Sequence, residues 1–321
     1  MYQLKDIQAD LVQLLHLPEL YVPTGKSTLA FNSQTLLHNR NEGQLSVLNE
    51  QQIQRFQRLK SRRLGIYFEL LWLCLIENSS RYTNILNNQQ IIDNKKTLGE
   101  FDFILQDHKQ DQSIHLEVAI KFYLNTSHLF DNLSSTLQAR SQQERFWRGP
   151  NSADSLAKKY NHLINKQLKL AQHKAAETLL IEKNIQLSDS KFSIKGYLFN
   201  HWLHQHHVPY HYSEPHIPNV WLYDDEIESY LEFVKKNTEL DDCKLFFITK
   251  AAWIHQTHQQ VEAITADDIE RYLIGKDSPQ MFGFGDSKKV TGTVLIKETL
   301  RFFVAPKCWP SQPALKELSE S

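Results

Sequence analysis

The chain has 321 residues, 41% hydrophobic and 23% charged, a balance that supports a large buried core and excludes global disorder. Its 36 basic and 37 acidic residues leave a formal charge of −1, which excludes an overall pull toward nucleic acid while leaving a local basic face open. No uncharged apolar run approaches the ~20 residues that cross a bilayer, and the opening MYQLKDIQAD lacks the apolar core of an export signal. Cys74, Cys243 and Cys308 are too scattered for a CxxC site or a disulfide framework, which fits a reducing, cytoplasmic setting away from membranes.

In chain order, leucines and an isoleucine at helical spacing predict a helix over 4–16, ended by Pro18. Residues 20–46 read largely as loop. From Asn49 the stretch NEQQIQRFQRLKSRRLGIYFELLWLCLIENS fits one or two consecutive helices that become mostly buried toward the end. The period then changes: TNILNNQQII predicts an edge strand, and EFDFIL and IHLEVAIKFYL predict two strands joined by a polar loop at 106–113. Residues 151–183 return to a helical pattern, with Asn151 or Ser152 as cap and Asp154 in the first turn. KFSIKGYLFN at 191–200 alternates as a strand. Three prolines interrupt the histidine- and aromatic-rich HWLHQHHVPYHYSEPHIPNVW. Strands at 220–223, 243–249 and 291–304 and helices near 225–236 and 265–273 follow. GFGDSKKVTG lacks the order of a phosphate-binding loop and reads as a flexible turn. A boundary near 200 divides the chain into 1–200 and a C-terminal region, 201–321, of unassigned role.

The two strands of the hairpin carry the chemistry. Residues two apart in a strand face one side, so Asp102 shares a face with Ile104, while Glu117, Ala119 and Lys121 share another. His115 is assigned to the face opposite Glu117 and left out of the site. Both faces are otherwise apolar, and a carboxylate in such surroundings costs several kcal/mol unless paired or bound to a metal. Two readings fit. Asp102 and Glu117 on adjacent strands can hold a hard divalent cation, Mg²⁺ or Mn²⁺, with Lys121 positioning water or a phosphate oxygen. Alternatively, either acid forms a salt bridge with Lys121 or with an arginine of the preceding helix.

The segments LGIYFELL, GEFDFIL, HLEVAIKFYL, WRGPNSADSLAKK and KLFFITKAAWI resemble, as a set, landmarks of the PD-(D/E)XK nuclease superfamily. They most resemble a bacterial domain-of-unknown-function family, number 1853, assigned to that superfamily. The resemblance runs from about 64 to 253. It implies an α/β fold, namely a restriction-endonuclease-like core with a central mixed sheet and a smaller α+β C-terminal region. It also implies Mg²⁺- or Mn²⁺-dependent hydrolysis of DNA or RNA phosphodiesters. By this resemblance Asp102 and Glu117 match the metal-binding acids, and Glu69 matches an acid sometimes supplied by the first helix. Lys121 is the counterpart of the motif lysine. The usual spacing places that lysine at 119, where this chain has Ala119. A lysine two residues on keeps the face but moves by roughly 6–7 Å. The backbone carbonyl of Val118 is a further possible ligand.

Around this centre, Arg55, Arg58 and Arg62 share a helical face that suits a phosphate backbone or simply a solvated surface. A second positive run, Lys158, Lys159, Lys166, Lys169 and Lys174, is accompanied by Asn161, Asn165 and Gln167. Arg148, Asn151, Asp154 and Lys158 are candidates for substrate contact, or for capping and docking their helix. HWLHQHH can offer two nitrogens to Zn²⁺, but no closed four-ligand spacing stands out, and it reads as a surface loop. Two functions stay in view: a metal-dependent nuclease, or a catalytically silent nucleic-acid-binding or protein-interaction module of the same fold.

Overall fold

The computed structural model describes residues 4–20, 29–59, 63–130, 140–209, 212, 219–238, 240, 243–259, 261–290 and 293–320. In chain order the elements are α1 (Leu4–His16), α2 (Glu42–Leu45), α3 (Glu50–Gln57), α4 (Leu64–Asn78), β1 (Tyr82–Asp93), β2 (Lys96–Asp107), β3 (Gln112–Asn125) and β4 (Trp147–Arg148). They continue with α5 (Leu156–Asn165), α6 (Lys174–Glu182), β5 (Leu187–His201), β6 (Asn219–Tyr223), α7 (Ile227–Asn237), β7 (Lys244–Ile248) and β8 (Thr257–Gln259). The last are α8 (Ala266–Leu273), β9 (Gln280–Val290), β10 (Thr293–Ala305) and α9 (Gln312–Glu320). The protein is a mixed α/β fold with a central multi-stranded sheet and smaller helical and β parts. Among the described residues no helix is long and apolar enough to cross a membrane.

The chain forms two compact units, one drawn chiefly from Met1–Lys121 and Lys159–Gly196, the other from Phe122–Lys158, Tyr197–Tyr210 and Pro215–Ser321. The division falls within β3, α5 and β5, so neither unit is a contiguous stretch of sequence.

In the first unit β1, β2 and β3 form an antiparallel meander, with β5 beside β3. The register of β1 and β2 closes at Asp93↔Lys96. That tight turn needs two left-handed residues, which Asn94 and Lys95 supply at φ 47° and 64°. Close approach of β5 to β3 depends on Gly196, where an added Cβ would lie 1.7 Å from the Lys121 carbonyl oxygen. The long helical stretch is two helices. Asn49 and Gln52 form a reciprocal capping box that starts α3. In α4, Tyr67, Phe68, Leu71, Trp72, Leu75 and Ile76 are all buried, as an almost continuous apolar run requires. The 151–183 stretch likewise breaks into α5, a 3₁₀ segment at Gln167–Gln172, and α6. Leu170, Ala176 and Leu180 pack there on Ile91, Phe101 and Ile104.

In the second unit the ends of β3 and β5 continue into β6, β10, β9 and β7. β6 is parallel to β5 and β10, whereas β9 is antiparallel to β10 and β7. Tyr230, Leu231 and Val234 of α7 and Ile269 and Leu273 of α8 pack on Leu222, Phe282, Phe302 and Val304. The flexible turn expected at GFGDSKKVTG is corrected: residues 280–290 form strand β9. Its glycines serve close packing, since a Cβ on Gly285 would come within 2.4 Å of the Lys297 carbonyl oxygen on β10.

Candidate functional site

The first unit brings three of the four expected catalytic residues, Glu69, Asp102 and Glu117, into one electrostatic neighbourhood. Backbone pairing of β2 with β3 runs from Asp107↔Gln112 to Phe103↔Leu116. Next along, the Asp102 side chain substitutes for ladder pairing: its Oδ2 accepts the Val118 N–H at 2.9 Å. Asp102 is half-buried, and burial together with the nearby Glu117 carboxylate pushes its pKa up to about 8. The Val118 bond and the Lys159 ammonium pull the other way, and Glu69 adds to the rise.

Glu117 is 2% exposed and is held from two sides. Its Oε1 lies 2.8 Å from His115 Nε2, and its Oε2 accepts from Gln167 Nε2. The placement of His115 outside the site is therefore corrected. Residues 115 and 117 are two apart, so the strand period puts them on the same face. His115 also packs edge-on against Phe101, with ring centroids 4.7 Å apart.

Glu69 reaches the cluster from α4. Burial raises its pKa, countered by a 3.1 Å hydrogen bond from Asn88 Nδ2 and by Lys159, while Glu100 and Glu117 push it further up. Asn88 is absent from the β1–β2 pairing between Asn87↔Phe103 and Gln89↔Phe101, so it falls opposite Asp102. Its φ of 50° is left-handed, a conformation that asparagine tolerates better than most residues.

The cation acting on these acids comes from α5. Lys159 Nζ donates to Gln167 Oε1 at 2.9 Å, and the same glutamine holds Glu117, so a chain Lys159–Gln167–Glu117–His115 ties helix to strand. Lys121 is half-buried on β3, at the close approach of Gly196. The sequence singled out Lys158 for contact; the structure puts its neighbour Lys159 beside the carboxylates. Lys158 belongs to the second unit, where it donates to Glu317 at 2.8 Å and to the Ala153 carbonyl.

The other candidates are placed as follows. Arg55 donates to both carboxylate oxygens of Glu77 at 2.7 Å, Arg58 is exposed at the end of α3, and Arg62 lies outside the described residues. Arg148 is fully buried and reaches Glu317 and the Ser152 and Ala314 carbonyls. Asn151 Oδ1 accepts the Asp154 N–H at 3.2 Å, and Asp154 Oδ2 lies 3.5 Å from the Tyr123 hydroxyl.

A second constellation lies in the second unit. His128, His201 and His204 each present a ring nitrogen such that all three atoms lie within 4.8 Å of one another, a candidate metal-coordinating cluster. Burial and the two other rings push His128 down to about 3. His201 is lowered by burial and by His204, against an opposing pull from Glu226. The reading of HWLHQHH as a loop with two available nitrogens is revised: His128, far upstream in NTSHLF, completes a three-nitrogen set.

Residues 10–293 match the family model described as Domain of unknown function (DUF1853). The chain belongs to that family. No curated protein and no solved structure matches it significantly. Family membership thus fixes kinship across most of the chain, while the chemistry of a DUF1853 protein has to be argued from the residues above.

Proposed function

We propose that the carboxylate centre of the first unit hydrolyses nucleic-acid phosphodiesters with the help of Mg²⁺ or Mn²⁺, on a restriction-endonuclease-like core. The observation that carries this reading is the convergence of Asp102 and Glu117 from adjacent strands, with Lys159 acting on Asp102 and tied to Glu117 through Gln167. The donor set fits a hard divalent ion. It consists of oxygens, and burial together with the neighbouring Glu117 charge raises Asp102 to about 8, a cost that a bound cation would relieve. Asp102 and Glu117 would hold the ion, which when bound would polarise the phosphoryl group and ease deprotonation of water.

The chain's own residues supply the rest. Val118 N–H fixes the Asp102 carboxylate, and His115 with Gln167 fixes both oxygens of Glu117, so neither acid has to reorganise when substrate arrives. Lys159 takes the role first given to Lys121. Its ammonium stabilises negative charge developing on the phosphoryl oxygens, and an α5 lysine relieves β3 of carrying one at Ala119. Glu69, raised by burial, is suited to accept and return a proton.

One observation favours the silent-module reading: Glu117 is already bonded on both oxygens, and no lysine stands at 119. The two readings part in one assay. Wild type is incubated with single- and double-stranded DNA and RNA in Mg²⁺ or Mn²⁺, beside folded D102A, E117A and K159A variants. Metal-dependent cleavage lost in all three supports the nuclease. Binding without cleavage, unchanged in D102A, supports the module.

A further inference from the structure

We propose that His128, His201 and His204 form a binding site for a divalent late transition metal, with zinc the foremost candidate, separate from the carboxylate centre. The three rings crowd together with centroids 4.4–5.0 Å apart. Aromatic packing explains part of this, since His201 and His128 also lie 4.7 and 5.4 Å from the Trp221 ring. Packing does not explain the nitrogens. His128 Nε2 is buried without a hydrogen-bond partner, whereas His201 Nε2 faces the Glu226 carboxylate at 3.0 Å. Unpartnered buried atoms are rare because each loses its water and gains nothing in return. A metal ion converts the His128 nitrogen into a ligand, alongside the ring nitrogens that His201 and His204 bring within 4.8 Å of it.

The chemistry of the donors selects the ion. Three imidazole nitrogens suit Zn²⁺, Cu²⁺, Ni²⁺ or Co²⁺ and not Mg²⁺ or Ca²⁺. Tetrahedral zinc–nitrogen bonds of ~2.0–2.1 Å set the nitrogens about 3.3–3.4 Å apart, so nitrogens within 4.8 Å of one another close in by up to about 1.4 Å. His204 is exposed, so it can make that adjustment cheaply. Glu226 Oε2, 3.0 Å from His201 Nε2, puts a negative charge beside the ion.

Three protein ligands leave a fourth position. The histidines border a cavity of about 220 Å³ whose remaining lining is polar: Asn125, Ser127, Gln205 and His207. Water or a small anion completes the coordination from that cavity.

The test uses the full chain without an affinity tag, stripped with chelator. Zn²⁺ is titrated against a chromophoric competitor, and Co²⁺ is followed by visible absorption. One equivalent of zinc should bind per chain, with a tetrahedral Co²⁺ spectrum that azide perturbs. H204A, a change at an exposed side chain, should keep the wild-type circular dichroism. It should also weaken zinc by more than the roughly tenfold to hundredfold that an outer-shell change costs. H206A, in the same segment but outside the cluster, should bind as wild type. D102N should bind zinc normally, whatever becomes of the carboxylate centre. No bound zinc, or equal affinity in wild type and folded H204A, overturns the site. A Co²⁺ spectrum indifferent to azide overturns the open fourth position.

Discussion

Asp102 is the residue at which the carboxylate centre can be interrogated without a substrate. Its folded pKa of about 8 stands against an ordinary value of 3.8. Between those limits folding takes up a proton. The stabilisation is therefore complete below the unfolded pKa and is lost as pH rises through the folded one. The slope is at most about 1.4 kcal/mol per pH unit, or about 2.7 kcal/mol between roughly pH 5 and pH 7. D102N keeps an oxygen for the Val118 N–H and removes the ionisation. Urea unfolding of both proteins in chelator, across that range, measures the term together with the response of the neighbouring acids Glu117 and Glu69, while groups away from the centre cancel in the difference. Wild type should lose stability relative to D102N as pH rises. Adding Mg²⁺ should restore wild type increasingly toward higher pH, since the ion competes with the proton, and should leave D102N unmoved. Parallel pH curves for the two proteins would refute a strained carboxylate at this position.

K159A should abolish metal-dependent cleavage by about 10²-fold or more, whereas K158A, which breaks an exposed pair with Glu317, should cost under about 1 kcal/mol and spare the activity; steady-state kinetics beside melting curves separates them. G196A should fail to give a folded protein, because its Cβ would overlap the Lys121 carbonyl and φ is 146°; soluble yield and circular dichroism read this directly. R58A should leave the melting temperature unchanged and, where nucleic acid binds, reduce the salt dependence of affinity by about one counterion. R55A should instead lower stability modestly, its guanidinium being committed to Glu77.

Much of the centre was legible because strand periodicity is a strong local signal. Asp102 and Glu117 stand out as acids in apolar strands, and they follow directly on the Phe103↔Leu116 pair that ends the β2–β3 register. The same period properly applied would have put His115 beside Glu117; its exclusion was an error of parity. Lys159 and Gln167 were visible as polar residues of the helical stretch, but nothing local shows that the helix stops at Asn165 and restarts as a 3₁₀ turn. That break aims Gln167 at Glu117. Asn88 was silent, because a left-handed residue inside a strand leaves no pattern beyond the asparagine itself. β9 was missed because glycine lowers strand propensity, while here close contact with β10 requires glycine. His128 could not be joined to His201 and His204 from spacing, since only tertiary structure brings NTSHLF to HWLHQHH.

The two proposed centres would take different metals, and that difference bears on how the protein's chemistry is tested. Oxygen donors that share negative charge favour hard ions, and at Asp102 the cost without one is a raised carboxyl pKa. An imidazole held neutral by burial, as at His128, is left instead with an unpartnered nitrogen and favours borderline ions. Late transition metals bind either kind of site more tightly than Mg²⁺ does, so a protein loaded with zinc would confound the two. An assay that adds Mg²⁺ to protein whose histidine site is already filled therefore differs from one that adds zinc to stripped protein. Activity that follows Mg²⁺ and disappears in D102N belongs to the carboxylates. Activity that follows zinc and disappears in H204A belongs to the histidines, and would move the chemistry of this chain from the first unit to the second.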